Sequence, residues 1–360
     1  MRLLGKDEVA SITLGAAVLA TGGGGDPYLG SIMAIDAIEE YGPVKLVSVD
    51  EIGDDDLFVT VAMVGAPTVI MEKLPSGEEA VIACRAIEKN LGRKITGIYP
   101  IEAGGVNSLL PIAAAARLGL PIADMDGMGR AFPELQMTTF HLHGINFSPA
   151  AVVDVHSNCN LVLAKDAAWS ERFARVVCAQ MGGAAVVAAC PLTGAQARSA
   201  SIRDILTLEQ RLGEAMTASR GDGQKVISRI REILGARMLF HGKVLEVDRR
   251  TEGAFNRGLA RADGLSSYKG KSFEVQFQNE YLVARVDDEV CCVTPDLITL
   301  LDDETGMPVL TERLRYGARI RAIGIPAHRH WRSPKGLEVA GPRYFRYEVD
   351  FIPVEELVTE

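Results

Sequence analysis

Apolar and polar positions follow two different rhythms along this chain. Up to about residue 190, stretches with helical i, i+3, i+4 spacing (Glu78–Leu91, Leu109–Leu118, Ala167–Met181) take turns with short β-rich runs at 45–48, 57–63, 95–100, 121–124, 151–155, 161–164 and 184–190. Such alternation predicts a layered α/β domain with a largely parallel sheet. Residues 202–236 predict one or two helices, broken at Arg220-Gly-Asp-Gly. After His241 the period falls to two, in 244–247, 272–277, 281–286, 319–325 and 345–351, with turn residues such as 302–306 between the runs. That pattern predicts a β-rich second domain. The expected organisation is a two-domain α/β protein: an α/β domain over 1–198 that carries the active site, connecting helices over 199–238 packed on it, and a β-rich domain over 239–360.

One segment interrupts the first rhythm. Residues 21–30, Thr-Gly-Gly-Gly-Gly-Asp-Pro-Tyr-Leu-Gly, stand between predicted helices at about 7–20 and 27–41. Four consecutive glycines suit neither helix nor strand, because glycine loses the most backbone freedom on ordering. Asp26 is the expected N-cap and Pro27 the first helical residue. The run is therefore a candidate cradle that brings N–H groups to a ligand at a helix N-terminus; the alternative is a flexible hinge. No Gly-Lys-Ser/Thr follows it, and it succeeds a helix rather than a strand, so neither nucleotide-binding glycine motif fits. Gly-x-Ser-x-Gly is absent as well.

Composition narrows the function classes. The 360 residues are 48% apolar and 24% charged, ordinary for a globular protein with a large core. A net charge of −9 without a basic stripe argues against nucleic acid as a partner. The acidic start, Met-Arg-Leu-Leu-Gly-Lys-Asp-Glu, does not read as an export signal, and no stretch approaches the ~20 apolar residues of a membrane span, so a cytoplasmic protein without a membrane partner is expected. None of the six cysteines makes a Cys-x-x-Cys pair. Cys291-Cys292, in a predicted strand, are expected to point to opposite faces as core residues.

Candidate chemistry gathers in loops that follow predicted strands, where open α/β sheets collect ligands. Val64–Thr68 is one such loop. Glu102–Ser108 places Glu102, Gly104, Gly105 and Asn107 before a helix. Asp124–Gln136 combines Asp126, Arg130 and Glu134. Asp124 and Asp126 at i, i+2 in a buried cleft would force one carboxyl to a raised pKa, a plausible general base. Arg130 offers a fork for a substrate carboxylate. The alternative is that Asp126 caps a turn and Arg130 pairs with Glu134. Separately, His141 and His143 would share one face of a strand, with His156 nearby, a possible divalent-metal set; solvated histidines are the alternative.

Several blocks resemble the S-methyl-thiohydantoin desulfurase family: Thr21–Gly30, Glu102–Ser108, Asp126–Met137, Gly242-Lys-Val with Arg249-Arg-Thr, Phe277-Gln-Asn-Glu-Tyr and Leu314-Arg-Tyr-Gly. The resemblance spans nearly the whole chain, its most specific part being Asp126–Met137. It implies two domains and a hydrolase that adds water to the sulfur-bearing carbon of a five-membered (thio)hydantoin-type ring, releasing a thiol and leaving a hydantoin. Members are often encoded beside hydantoinase and oxoprolinase subunits, which suggests a partner of that type.

This chemistry suits the site read from the residues. Asp126 first and Glu134 second would deprotonate water, and Asn107 with the Gly23, Gly24 and Gly25 amides would stabilise the adduct. Asp26, Glu102, Gly104 and Gly105 would complete the substrate-binding wall, with Arg130 on a substrate carboxylate. No cofactor is favoured; a divalent metal is the alternative. Two other classes stay open: a metallohydrolase using His141, His143 and His156, and a non-catalytic subunit bound to a hydantoinase. A symmetric homo-oligomer is expected on general grounds.

Overall fold

A computed structural model describes residues 2–65, 69, 75–252 and 255–358. The chain divides into two compact units, one holding the residues up to Ala16 together with Gly24–Gln210, the other Ala17–Gly23 and Arg211–Glu360.

In chain order the first half runs β1 (Arg2–Leu4), α1 (Lys6–Leu19), α2 (Pro27–Tyr41), β2 (Val44–Val47), β3 (Leu57–Gly65), α3 (Glu78–Leu91), β4 (Gly97–Tyr99), α4 (Gly105–Leu118), β5 (Ile122–Ala123) and β6 (Met125–Asp126). It continues with α5 (Thr139–Leu142), β7 (Ala150–Val153), β8 (Cys159–Val162), α6 (Ala167–Gln180), β9 (Ala184–Thr193), α7 (Gly194–Ala200), β10 (Ile202–Arg203) and α8 (Ile205–Ala218). Eight strands form one sheet in the order β1-β2-β5-β4-β3-β9-β7-β8. Only β2, β5, β4 and β3 run parallel; β1, β9, β7 and β8 add antiparallel. The expected largely parallel sheet is thus confined to its centre. The chain returns from β7 to β8 by the short Asp154–Asn158 turn, which forces antiparallel pairing, whereas parallel neighbours need a crossover.

Local chemistry sets the element ends near the glycine run. Asp26 Oδ1 accepts from the Tyr28 N–H at 2.9 Å and Pro27 opens α2. β3 is buried from Leu57 to Val64 and apolar there except for Thr60, and α4 is buried along its length from Gly105 to Ala116. A helix apolar on every side belongs inside a core. The first turn of α4 therefore presents Asn107 and Ser108 to the interior.

The second unit continues through α9 (Gly223–Leu234) into β11 (Arg237–Glu252), β12 (Phe255–Gly264), β13 (Ser272–Gln278), β14 (Glu280–Val286), β15 (Glu289–Val293), β16 (Leu297–Asp302) and β17 (Arg319–Ile325), followed by α10 (Pro334–Ala340) and α11 (Val354–Leu357). Its seven strands form an antiparallel sheet in the order β15-β14-β13-β12-β11-β17-β16. Two sequence expectations fail here. Residues 345–351 alternate but form no strand; Phe345, Tyr347, Val349 and Phe351 instead lay one side on Leu282, Val283 and Val293. Period two reports one-sided burial, which extended chain achieves without a ladder. Cys291 and Cys292 enter the same core, because Cys291 is the extra residue where the register shifts between Ala284 and Arg285. Among the described residues no helix is long and apolar enough to cross a membrane.

Candidate active site

Three buried carboxyl groups, Glu102, Asp126 and Glu209, act on one another inside the first unit. Glu102 follows β4, at the C-terminal end of a parallel strand, and the chain turns at Gly104 into α4. Asn107, two residues into that helix, donates from Nδ2 to Glu102 Oε1 at 2.7 Å. Its Oδ1 accepts from the Met63 N–H on β3 at 2.8 Å, which fixes the amide's orientation. The Phe132 N–H donates to Glu102 Oε2 at 3.1 Å. Both oxygens of Glu102 are thereby oriented. Pro111, inside α4, has no N–H for the carbonyl of Asn107, so that carbonyl lacks its usual helical donor.

Burial pushes Glu102 up to about 7; the Asn107 and Phe132 hydrogen bonds and the Arg130 charge pull the other way. Burial holds Asp126 well above the usual carboxylate range, opposed chiefly by its bond from the Gly129 N–H (2.6 Å to Oδ2) and raised further by the Glu102 charge. Asp126 Oδ1 is buried with no hydrogen-bond partner. Glu209, on α8, is likewise held well above its ordinary value by burial, against a hydrogen bond from Ser108. All of these residues are buried: Glu102 and Asn107 keep 4% and 9% exposure, and Asp126, Arg130 and Glu209 none.

The segment Asp124–Gln136 is organised differently from the sequence expectation. Asp124 and Asp126 are not a coupled pair. Asp124 caps the start of α8, accepting from the Leu206 N–H at 2.8 Å, the Thr207 N–H at 3.2 Å and the Thr207 hydroxyl. Asp126 pairs through its backbone with Ile202 of β10 and turns its carboxyl toward Gly129. Arg130 is sealed: its Nε donates to the Ala131 carbonyl at 3.0 Å and its guanidinium lies 4.4 Å from the centre of the Phe132 ring. It does not present an open fork to a substrate carboxylate; it supplies positive charge to Glu102. Glu134 is half-buried and accepts from the Gln136 amide.

The glycine run is required by close packing. A Cβ on Gly105 would lie 2.0 Å from the Gly24 carbonyl oxygen, and one on Gly25 would meet Val106 at 3.1 Å. The Val106 N–H donates to the Gly24 carbonyl at 2.8 Å. The run and the start of α4 thus touch backbone to backbone. Gly23 falls in the second unit, where a Cβ would lie 2.0 Å from the Glu280 carboxylate, and its N–H already donates to the Ala20 carbonyl at 2.8 Å. It is not a spare donor for an adduct. The Gly24 and Gly25 amides have no acceptor among the described residues. Asp26 caps α2. Of the Val64–Thr68 loop, residues 66–68 lie outside the described residues.

The histidine reading loses its geometric premise. Residues Thr139–Leu142 form a helix, so His141 and His143 do not share a strand face. His143 and His156 are exposed. Among the described residues no group of three or more His, Cys, Asp or Glu is placed to hold a metal ion.

Sequence reasoning missed Glu209. In Thr-Leu-Glu-Gln-Arg it reads as a solvated helix position, yet it is buried because α1 comes close to its backbone: a Cβ on Gly15 would lie 1.9 Å from the Glu209 carbonyl oxygen. A glycine inside an apolar helix was the signal that an element packs there.

Comparisons with known proteins agree with this architecture. Two family models match, "S-Me-THD-like, N-terminal domain" over residues 7–166 and "S-Me-THD-like, C-terminal domain" over 165–354. A crystal structure of a protein from Chromobacterium violaceum, a structural-genomics target, is similar over 98% of this chain and 100% of its own, with a TM-score of 0.84 and 23% identity. At that identity the likeness concerns the fold. No curated protein matches the chain.

Proposed function

The chain belongs to the S-Me-THD-like family, as the motif resemblance indicated, and from that premise we propose that it hydrolyses an S-methyl-thiohydantoin-type ring. The observation that carries this reading is Glu102, a buried carboxylate at the end of β4 whose two oxygens are held by Asn107 and the Phe132 N–H, with the Arg130 charge acting on it. In the proposed step Glu102 takes a proton from water while the water oxygen bonds to the ring carbon bearing sulfur. The adduct's negative charge falls on the adjacent ring nitrogen, and the Gly24 and Gly25 amides are available donors for it. The carbon–sulfur bond then breaks, the proton held by Glu102 passes to sulfur, and methanethiol leaves. The remaining adduct hydroxyl loses its proton to the ring nitrogen as the carbonyl forms, giving the hydantoin. Atoms balance with one water consumed and no redox change.

This reading moves the base from Asp126 to Glu102. Asp126 is buried and held well above the usual carboxylate range, which keeps it protonated and unable to accept a proton at neutral pH, whereas Glu102 is pushed up only to about 7. A carboxyl poised near neutral pH is suited to take up and return a proton within one turnover. The test is methanethiol release from an S-methyl-thiohydantoin by the purified chain, compared with Glu102→Gln. Release by the wild type and its loss in the variant support the reading; equal release by both removes Glu102 as base, and none by either removes the substrate class.

A further inference from the structure

We propose that Glu209 is a positioning residue for the Glu102 turn, acting through the Ser108 hydroxyl on the backbone of Gly104. The Ser108 Oγ donates to Glu209 Oε1 at 2.7 Å and accepts from the Gly104 N–H at 2.9 Å. Gly104 has φ 149° and ψ 144°, the left-handed side of backbone space, and it joins the segment carrying Glu102 to α4. A side chain from α8, about a hundred residues away in sequence, thus fixes the hinge between base and helix. The same helix is tied at its start by Asp124, so the position of Glu209 is set at two points.

The chemistry around Glu209 supports a neutral acid that acts by hydrogen bonding. Its side chain is fully buried, its Oε2 has no partner, and the charges acting on it are those of Asp126, Asp124 and Glu102. Ionising a third acid beside Glu102 would push that base upward and blunt it at neutral pH. A neutral Glu209 keeps the Ser108 bond without that penalty. Glutamine reproduces it in shape and in the acceptor that Ser108 uses; alanine removes the acceptor.

The inference rests on Glu102 being the base, and the experiment separates the two. Hydrogen exchange of the Gly104 amide is followed in wild type, Glu209→Ala, Glu209→Gln and Ser108→Ala, together with the pH dependence of turnover. In Glu209→Ala and Ser108→Ala we expect Gly104 exchange to quicken and kcat to fall, each about tenfold, with KM nearly unchanged. Glu209→Gln restores both. Wild-type exchange in Glu209→Ala, or a Gln variant as impaired as Ala, overturns the proposal. Should Glu209→Ala fail to fold, Ser108→Ala, which deletes a single oxygen, decides by the same exchange measurement. If the exchange pattern holds while no chain turns over the thiohydantoin, the substrate reading fails and the positioning role stands.

Discussion

Asn107 Nδ2 donates to Glu102 Oε1 at 2.7 Å while its own Oδ1 is held by the Met63 amide at 2.8 Å. The amide is a rigid strut between strand β3 and the carboxylate. It orients Glu102 and favours its charged form.

Glu102→Gln still accepts from the Phe132 N–H but turns its NH2 toward the Asn107 amide, so it should keep the fold at a cost of about 1–3 kcal/mol. It should cost about 10²–10⁴ in kcat, the usual contribution of a general base. Steady-state thiol release and a circular dichroism spectrum check both halves. The wild-type rate should rise with pH through about 7, where Glu102 loses its proton, and level off above it.

Asn107→Leu removes one of the bonds that lowers Glu102. The rising limb of the pH–rate profile should move to higher pH, so that activity lost at neutral pH returns in part on the alkaline side. Orphaning the Met63 amide should also cost about 1–3 kcal/mol of stability. An unmoved limb would show that the strut has no electrostatic role.

Stability should carry the mark of Glu102. Its folded value of about 7 exceeds the ordinary glutamate value of about 4.3, so the folded chain holds a proton that the unfolded chain has released. This contribution is fully present below about 4.3 and is lost as pH rises toward 7, at about 1.4 kcal/mol per pH unit. Glu102→Gln lacks it. Urea denaturation at pH 5, 6 and 7 should show the wild type losing stability relative to the variant across that window.

Gly105→Ala and Gly119→Ala make a matched pair. Both glycines have positive φ, +53° and +64°, but a Cβ at 105 meets the Gly24 carbonyl at 2.0 Å while nothing lies within 4 Å at 119. Gly119→Ala should cost about 1–2 kcal/mol from backbone conformation alone. Gly105→Ala should cost more than that, because the glycine run must also move. Chemical denaturation of the two variants gives the difference.

Periodicity and local chemistry made most elements, and several residues of the candidate site, legible in the sequence. The periodicities placed the helices at 27–41 and 78–91 and most strands, since each reports which face of a local segment is buried. Asp26 and Pro27 marked the start of α2 through local hydrogen bonding and a fixed φ. Glu102, Asn107 and Asp126 stood out because acids and amides beside glycines at strand ends are poor core material. Tertiary structure decided their roles. Whether a carboxyl touches solvent, which acid neighbours it and where an arginine's charge falls depend on residues far apart in sequence. Asp126 became a sealed acid, Arg130 an internal counter-charge, and Glu209 a buried neighbour of the candidate site only because α8 is anchored by Asp124 and approached by Gly15. Burial sets the pKa of each carboxyl, and burial is a property of packing that no single segment contains.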